Sequence, residues 1–116
     1  MNGGGVFNII KAGFEDYIQI NNSNFENNEG INGGVFNVNI TDPKFFLEVN
    51  KSQFKNNYAF GYGGIIYSKD VTKLDVNKNP VPKNNIIFYN CTFYNNTSSN
   101  GIFFYYFFYI IFFSFW

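Results

Sequence analysis

The sequence predicts an all-β chain wound as a parallel β-helix of about three coils and ending in an apolar C-terminal tail. Three observations predict it. A pattern recurs after 29 residues and again after 39, the apolar period inside each copy is two, and a glycine block follows each copy a few residues on.

The repeat begins with three aligned segments: Ile18-Gln-Ile-Asn-Asn-Ser-Asn-Phe25-Glu-Asn-Asn28, Leu47-Glu-Val-Asn-Lys-Ser-Gln-Phe54-Lys-Asn-Asn57 and Ile86-Ile-Phe-Tyr-Asn-Cys-Thr-Phe93-Tyr-Asn-Asn96. They share apolar-x-apolar-x-x-[Ser/Cys]-x-Phe-x-Asn-Asn. The glycine blocks are Gly33-Gly34-Val35-Phe36, Gly63-Gly64-Ile65-Ile66 and a degraded Asn100-Gly101-Ile102-Phe103, and the chain opens on Gly4-Gly5-Val6-Phe7. Val6 to Val35, Ile18 to Leu47 and Phe25 to Phe54 are each 29 residues, whereas Phe54 to Phe93 is 39. About ten residues are therefore inserted between Tyr67 and Asn85.

Within a unit the alternation marks strands. Phe36-Asn-Val38-Asn-Ile40 and Phe45-Phe-Leu47-Glu-Val49 alternate cleanly, and Ser23 and Phe25 continue the alternation after a bend at Asn21-Asn22. Each unit offers three short strands: one before the bend, one at Ser-x-Phe and one after the glycines. Three strands and three turns in one repeat make one coil, stacked on the next at about 4.8 Å. Residues 1–103 form this repeat region.

Each recurring residue has a physical task in such a coil. Phe25, Phe54 and Phe93 point inward as a ladder. Asn28, Asn57 and Asn96 form a second ladder at a turn, bonding the neighbouring coil and tolerating left-handed backbone. The glycines supply positive φ or close backbone approach at the next corner. Ser23, Ser52 and Cys91 share one position, so Cys91 reads as a small buried filler and not as a reactive thiol.

Composition excludes several functions. Eight Lys, no Arg and eight acidic residues give zero net charge, which argues against nucleic-acid binding. The absence of His removes His-dependent triads and His-ligated metals, and one Cys excludes an internal disulfide. Phe, Asn, Ile, Tyr and Lys are abundant, with 21 Asn, and A/T-rich codons account for part of that. No catalytic residue, metal ligand or cofactor site is predicted. Only Glu15 and Asp16 are adjacent acids, and Lys44 lies one coil from Glu15 as a surface partner. Asp75-Val-Asn77-Lys-Asn79 fails as a calcium loop, with Pro80 at the loop glycine and Ile86 at the bidentate acid. Gly61-Tyr-Gly63-Gly64 lacks the spacing and Lys of a phosphate loop.

The repeat resembles the polymorphic outer-membrane protein repeat family, which combines a Gly-Gly-Ala-[Ile/Leu/Val] block with Phe-x-x-Asn. Phe25-Glu-Asn-Asn28, Phe54-Lys-Asn-Asn57 and Phe93-Tyr-Asn-Asn96 match the second block. Gly33-Gly34-Val35-Phe36 and Gly63-Gly64-Ile65-Ile66 match the first, with Val or Ile in place of Ala. The resemblance covers residues 3 to 103. It implies a right-handed, single-stranded, pectate-lyase-like β-helix exported to a cell surface for adhesion or ligand display, without catalysis. The expected partner is a surface ligand or glycan. A degenerate or incomplete carbohydrate-active β-helix is the alternative, although pectate-lyase-like lyases use a basic residue, commonly Arg, which is absent here. A gene product without independent function is a third reading. Family members have many coils, so the chain is expected to be part of a longer protein.

Three segments lie outside the repeat logic. The insertion, residues 69–83, is a projecting loop in which Lys69, Asp70, Lys73, Asp75 and Lys78 are candidate partner contacts. Asn-x-Ser/Thr sequons at Asn21, Asn39, Asn50, Asn90, Asn95 and Asn96 permit glycosylation in an exporting eukaryote. The tail, Ile102–Trp116, has three readings: a membrane segment or hydrophobic anchor, translated non-coding sequence, or a last buried strand pair. As a helix it would span about 22 Å, short of a bilayer core.

Overall fold

The structure, a computed structural model, describes residues 3–12, 17–40, 46–70, 86–100, 104–106 and 110–113. It is all-β, and no helix occurs among the described residues. Among the described residues four sheets stack the repeats on one another, and every strand pair is parallel. A chain that meets itself in parallel again and again, one repeat apart, has a β-helix-like path.

The first sheet holds β1 (Phe7–Ala12), β5 (Phe36–Ile40), β9 (Ile66–Asp70) and β13 (Phe104–Tyr106). The second holds β2 (Tyr17–Asn21), β6 (Phe46–Asn50), β10 (Ile86–Tyr89) and β14 (Ile110–Phe113). The third contains β3 (Asn24–Glu26), β7 (Gln53–Lys55) and β11 (Thr92–Tyr94). The fourth contains the two-residue strands β4 (Glu29–Gly30), β8 (Tyr58–Ala59) and β12 (Thr97–Ser98). The register is the repeat register: Phe25 faces Phe54, Phe54 faces Phe93, Ile18 faces Leu47 and Leu47 faces Ile86. One bulge interrupts it, between Ile10 and Ala12.

The fourth sheet is one strand per unit more than the sequence pattern predicts. Its strands are too short to show a period. Their one regularity is a small inward residue two places after the Asn pair: Gly30, Ala59 and Ser98, all buried. That smallness is the signal that periodicity overlooks.

The core lies between the sheets. Phe36, Val38, Leu47, Val49, Phe54, Ile65, Ile66 and Phe88 are fully or almost fully buried. Aromatic rings stack along the coil axis, with centroids 5.1 Å apart for Phe7–Phe36, 5.0 Å for Phe25–Phe54 and 5.3 Å for Phe54–Phe93. Phe88 closes edge-on against Phe54 at 5.7 Å. Phe93 is only half-buried, unlike Phe54 beneath it. Each stacked pair adds about 0.5–1.5 kcal/mol beyond its area burial.

The corners divide their work by residue type. Asn27, Asn56 and Asn95, the first residues of the Asn pairs, take positive φ of 57°, 56° and 53°. Asn22, Lys51 and Asn90 do the same at the other end of each short strand, at 50°, 49° and 51°. Two left-handed residues per coil thus bracket Ser-x-Phe. At the glycine corner Gly33 and Gly63 have φ of 78° and 72°. Their neighbours serve a different need. A Cβ on Gly64 would lie 2.7 Å from the Thr97 amide nitrogen, so only glycine lets the coils close there.

Lys69 and Asp70, the first two residues of the predicted loop, are the last two of β9. Lys73, Asp75 and Lys78 lie outside the described residues, as do Glu15, Asp16 and Lys44. In the tail, Phe104–Tyr106 pairs with β9 and Ile110–Phe113 pairs with β10, both in parallel.

Candidate functional site

Two sets of residues recur in space: those that hold the coils together and those that face outward. Among the first, the six ladder residues named from the sequence meet one another. Asn28 donates from Nδ2 to Asn57 Oδ1 at 2.9 Å, and Asn57 donates likewise to Asn96 Oδ1 at 2.8 Å. The same oxygens accept the backbone N–H of Asn28 and of Asn57, each at 3.1 Å. The amides of Asn57 and Asn96 also donate to the carbonyls of Phe25 and Phe54, both at 2.9 Å. Asn57 and Asn96 are buried, Asn28 is half-buried, and their amides are paired, which makes the ladder a structural device.

The Ser/Cys position repeats a contact as well. Ser23 Oγ and Ser52 Oγ donate to the carbonyls of Asn21 and Asn50 at 2.9 Å, and Cys91 Sγ reaches that of Tyr89 at 3.5 Å. Cys91 is fully buried, and burial pushes its thiol above the ordinary range, while backbone hydrogen bonds at Ser52 and Tyr89 pull the other way.

The outward positions are less uniform. In the sheet of β2, β6 and β10, alternation turns Ile18, Ile20, Leu47, Val49, Ile86 and Phe88 toward the core. The opposite face carries Tyr17, Gln19 and Asn21, then Phe46, Glu48 and Asn50, then Ile87 and Tyr89. A shallow open depression of about 400 Å³ lies on this face, lined by Glu48, Asn50, Ile87 and Tyr89. Among the described residues that line it, Glu48 is the only carboxylate. Tyr17 donates its hydroxyl to Glu48 Oε2, and Gln19 Nε2 donates to the same oxygen at 3.0 Å. The hydrogen bond to Glu48, then burial and the carboxylate charge, push the Tyr17 phenol up. Asn50 Nδ2 donates to Asn21 Oδ1 at 3.0 Å, and the Tyr17 ring stacks on Phe46 at 5.4 Å. A carboxylate fixed from one side by two donors is an oriented hydrogen-bond acceptor.

This face was not singled out from the sequence. Its signal was the second residue of each alternating pair, Gln19, Glu48 and Ile87, which differs from coil to coil and so escapes a search for repeats. Among the described residues no three His, Cys, Asp or Glu side chains converge as metal ligands.

The sequons fall on different surfaces. Asn21, Asn90 and Asn95 are exposed, and Asn50 is half-buried. Asn95 Nδ2 donates to Asn56 Oδ1 at 2.8 Å. Asn96 is buried with its amide engaged in the ladder, so a glycan there conflicts with the folded packing. Asn39 lies in β5, and its side chain is outside the described residues. No family model, curated protein or solved structure matches the chain.

Proposed function

We propose that this chain is a non-catalytic display segment of a cell-surface protein, built from about three right-handed β-helix coils and similar to the polymorphic outer-membrane protein repeats. The observation that carries this reading is the contrast between the two faces of β3, β7 and β11 and the turns that follow them. Inward positions repeat: Phe25, Phe54 and Phe93, or Asn28, Asn57 and Asn96. Outward positions in the same strands do not. Asn24, Gln53 and Thr92 form one row, and Glu26, Lys55 and Tyr94 the next. A scaffold whose interior is fixed and whose exterior varies by coil is suited to presenting chemically different surfaces from one rigid body. The pairing of β13 and β14 supports the tail as the start of one more coil in preference to an anchor.

The test is surface exposure in the cell of origin. The epitope-tagged chain in its native context should react with a membrane-impermeant amine reagent on intact cells. Labelling that appears only after permeabilisation contradicts the reading.

A further inference from the structure

The glycine corner before β9 holds two tyrosines whose rings meet, and the display reading gives them no task. We propose that Tyr62 and Tyr67 are an oxidative cross-linking site, joined as an intrachain dityrosine by hydrogen peroxide and a haem peroxidase. The site does not depend on where the chain is displayed.

The corner sets the pair. Gly63 has a φ of 72°, and a Cβ there would collide with the Ile66 carbonyl oxygen and lie 3.1 Å from the Tyr67 amide nitrogen. The chain thus doubles back tightly enough to bring residue 62 toward residue 67. The backbone of Tyr62 is clamped to the preceding coil on both sides. Its N–H donates to Asn32 Oδ1 at 3.1 Å, and its carbonyl accepts the Gly33 N–H at 2.9 Å. Tyr67 lies in β9 between the buried Ile66 and Ser68, so alternation turns it outward.

The two ring centroids are 6.5 Å apart, with 32° between the planes. Among the described side chains this is the one pair of tyrosine rings in contact. Tyr17 stacks on Phe46, Tyr58 meets Phe60 edge-on, and Tyr94 lies under Lys55. In the preceding coil Asn32-Gly33-Gly34-Val35-Phe36-Asn37 fills the places of Tyr62-Gly63-Gly64-Ile65-Ile66-Tyr67. Both tyrosines therefore enter together, in one coil.

The chemistry needs proximity and access. The peroxidase removes one electron and one proton from each phenol, and hydrogen peroxide takes up both electrons and both protons and leaves as two waters. The two phenoxyl radicals join by a carbon–carbon bond between ring positions ortho to the oxygens. The hydrogens displaced from those positions move to the oxygens and restore both phenols. The protein has then lost two hydrogens. Tyr62 is exposed and Tyr67 half-buried, and an exposed aromatic ring reorients within nanoseconds, which closes the gap left between the rings. Two partners held side by side couple faster than two that must meet by diffusion.

The test treats the full chain with a haem peroxidase and hydrogen peroxide, with free tyrosine in a parallel reaction as the measure of enzyme activity. Trypsin then releases residues 56–69, which contain Tyr58, Tyr62 and Tyr67. The expected product is this peptide lighter by two hydrogens, fluorescent as a biphenol, and giving no backbone fragments between residues 62 and 67. Tyr62→Phe and Tyr67→Phe keep the rings and should each abolish it. Tyr58→Phe and Tyr94→Phe should leave its yield unchanged. Coupling mainly between chains, a product that survives Tyr62→Phe or is lost in Tyr58→Phe, or no product while free tyrosine couples would overturn the proposal. Surface labelling is read separately, so a chain displayed on cells that forms no dityrosine fails this inference alone.

Discussion

The side-chain amide of Asn57 donates to Asn96 one coil further on, at 2.8 Å, and its oxygen accepts from Asn28 one coil before, at 2.9 Å. The central asparagine thus joins three repeats through one buried side chain. Asn56 beside it has a different task, holding a φ of 56°.

That division of labour is testable by two substitutions at adjacent positions. Asn57→Ala strips partners from Asn28, Asn96 and the Phe25 carbonyl, each a part-buried or buried polar group. It should cost more than about 2 kcal/mol, since a single unsatisfied buried group costs roughly 1–3 kcal/mol. Asn56→Gly should cost less than about 1 kcal/mol, because glycine takes positive φ without strain and only the exposed hydrogen bond from Asn95 is lost. Urea unfolding of both variants is the measurement; equal losses would contradict the assignment.

Phe54 lies between Phe25 and Phe93 and is almost fully buried. Phe54→Ala should destabilise by about 3–5 kcal/mol. In a stack this short the expected result is loss of the cooperative transition in far-UV circular dichroism on heating. A melting curve like that of the unsubstituted chain would contradict the packing.

Lys51 holds a φ of 49°, where its counterparts in the neighbouring coils are Asn22 and Asn90. A left-handed conformation costs a residue with a long side chain about 1–2 kcal/mol, and Asn or Gly less. Lys51→Gly should therefore stabilise the fold by up to about 1 kcal/mol, read as a higher urea midpoint. A lower midpoint would show that the exposed Lys51 side chain contributes something beyond its backbone position.

Burial raises the Cys91 thiol, so the fold favours its neutral form. This contribution is fully present below the unfolded thiol pKa of about 8.5 and is lost as pH rises through the raised folded value. Stability should hold from neutral pH to about 8.5 and fall from there up to the raised folded value, and the fall should be smaller in Cys91→Ser. Ser occupies the same position at Ser23 and Ser52, so Cys91→Ser itself should cost less than about 1 kcal/mol at neutral pH. Native Cys91 should resist iodoacetamide, read by mass, until denaturant is added. Rapid alkylation of the folded chain would contradict its burial.

The stacking was legible because its determinants are periodic. Phe25, Phe54 and Phe93 recur at the coil spacing, and in-register parallel pairing is the packing that brings each onto the next. Both tasks were assigned to Asn28, Asn57 and Asn96, whereas the structure splits them: Asn27, Asn56 and Asn95 hold the positive φ, and Asn28, Asn57 and Asn96 form the buried ladder. Nothing in the two letters distinguishes these tasks, since Asn suits both. The fourth sheet was missed because strands of two residues have no period, and only the small residues Gly30, Ala59 and Ser98 mark it. The outward face around Glu48 and Tyr89 was missed for the opposite reason. Its residues change with each coil, and their proximity depends on the register that places Ile87 beside Glu48 and Tyr89 beside Asn50.

The central claim is that repeats one coil apart lie side by side in register, and a disulfide scan reads it most directly. Asn24 and Gln53 are exposed partners on adjacent strands. In a Cys91→Ser background, Asn24→Cys with Gln53→Cys should close under mild oxidation, because neighbouring strands are about 4.8 Å apart. Asn24→Cys with Thr92→Cys, two strands apart, should stay open. Failure of the first pair to close, or equal closure of both, would contradict the account.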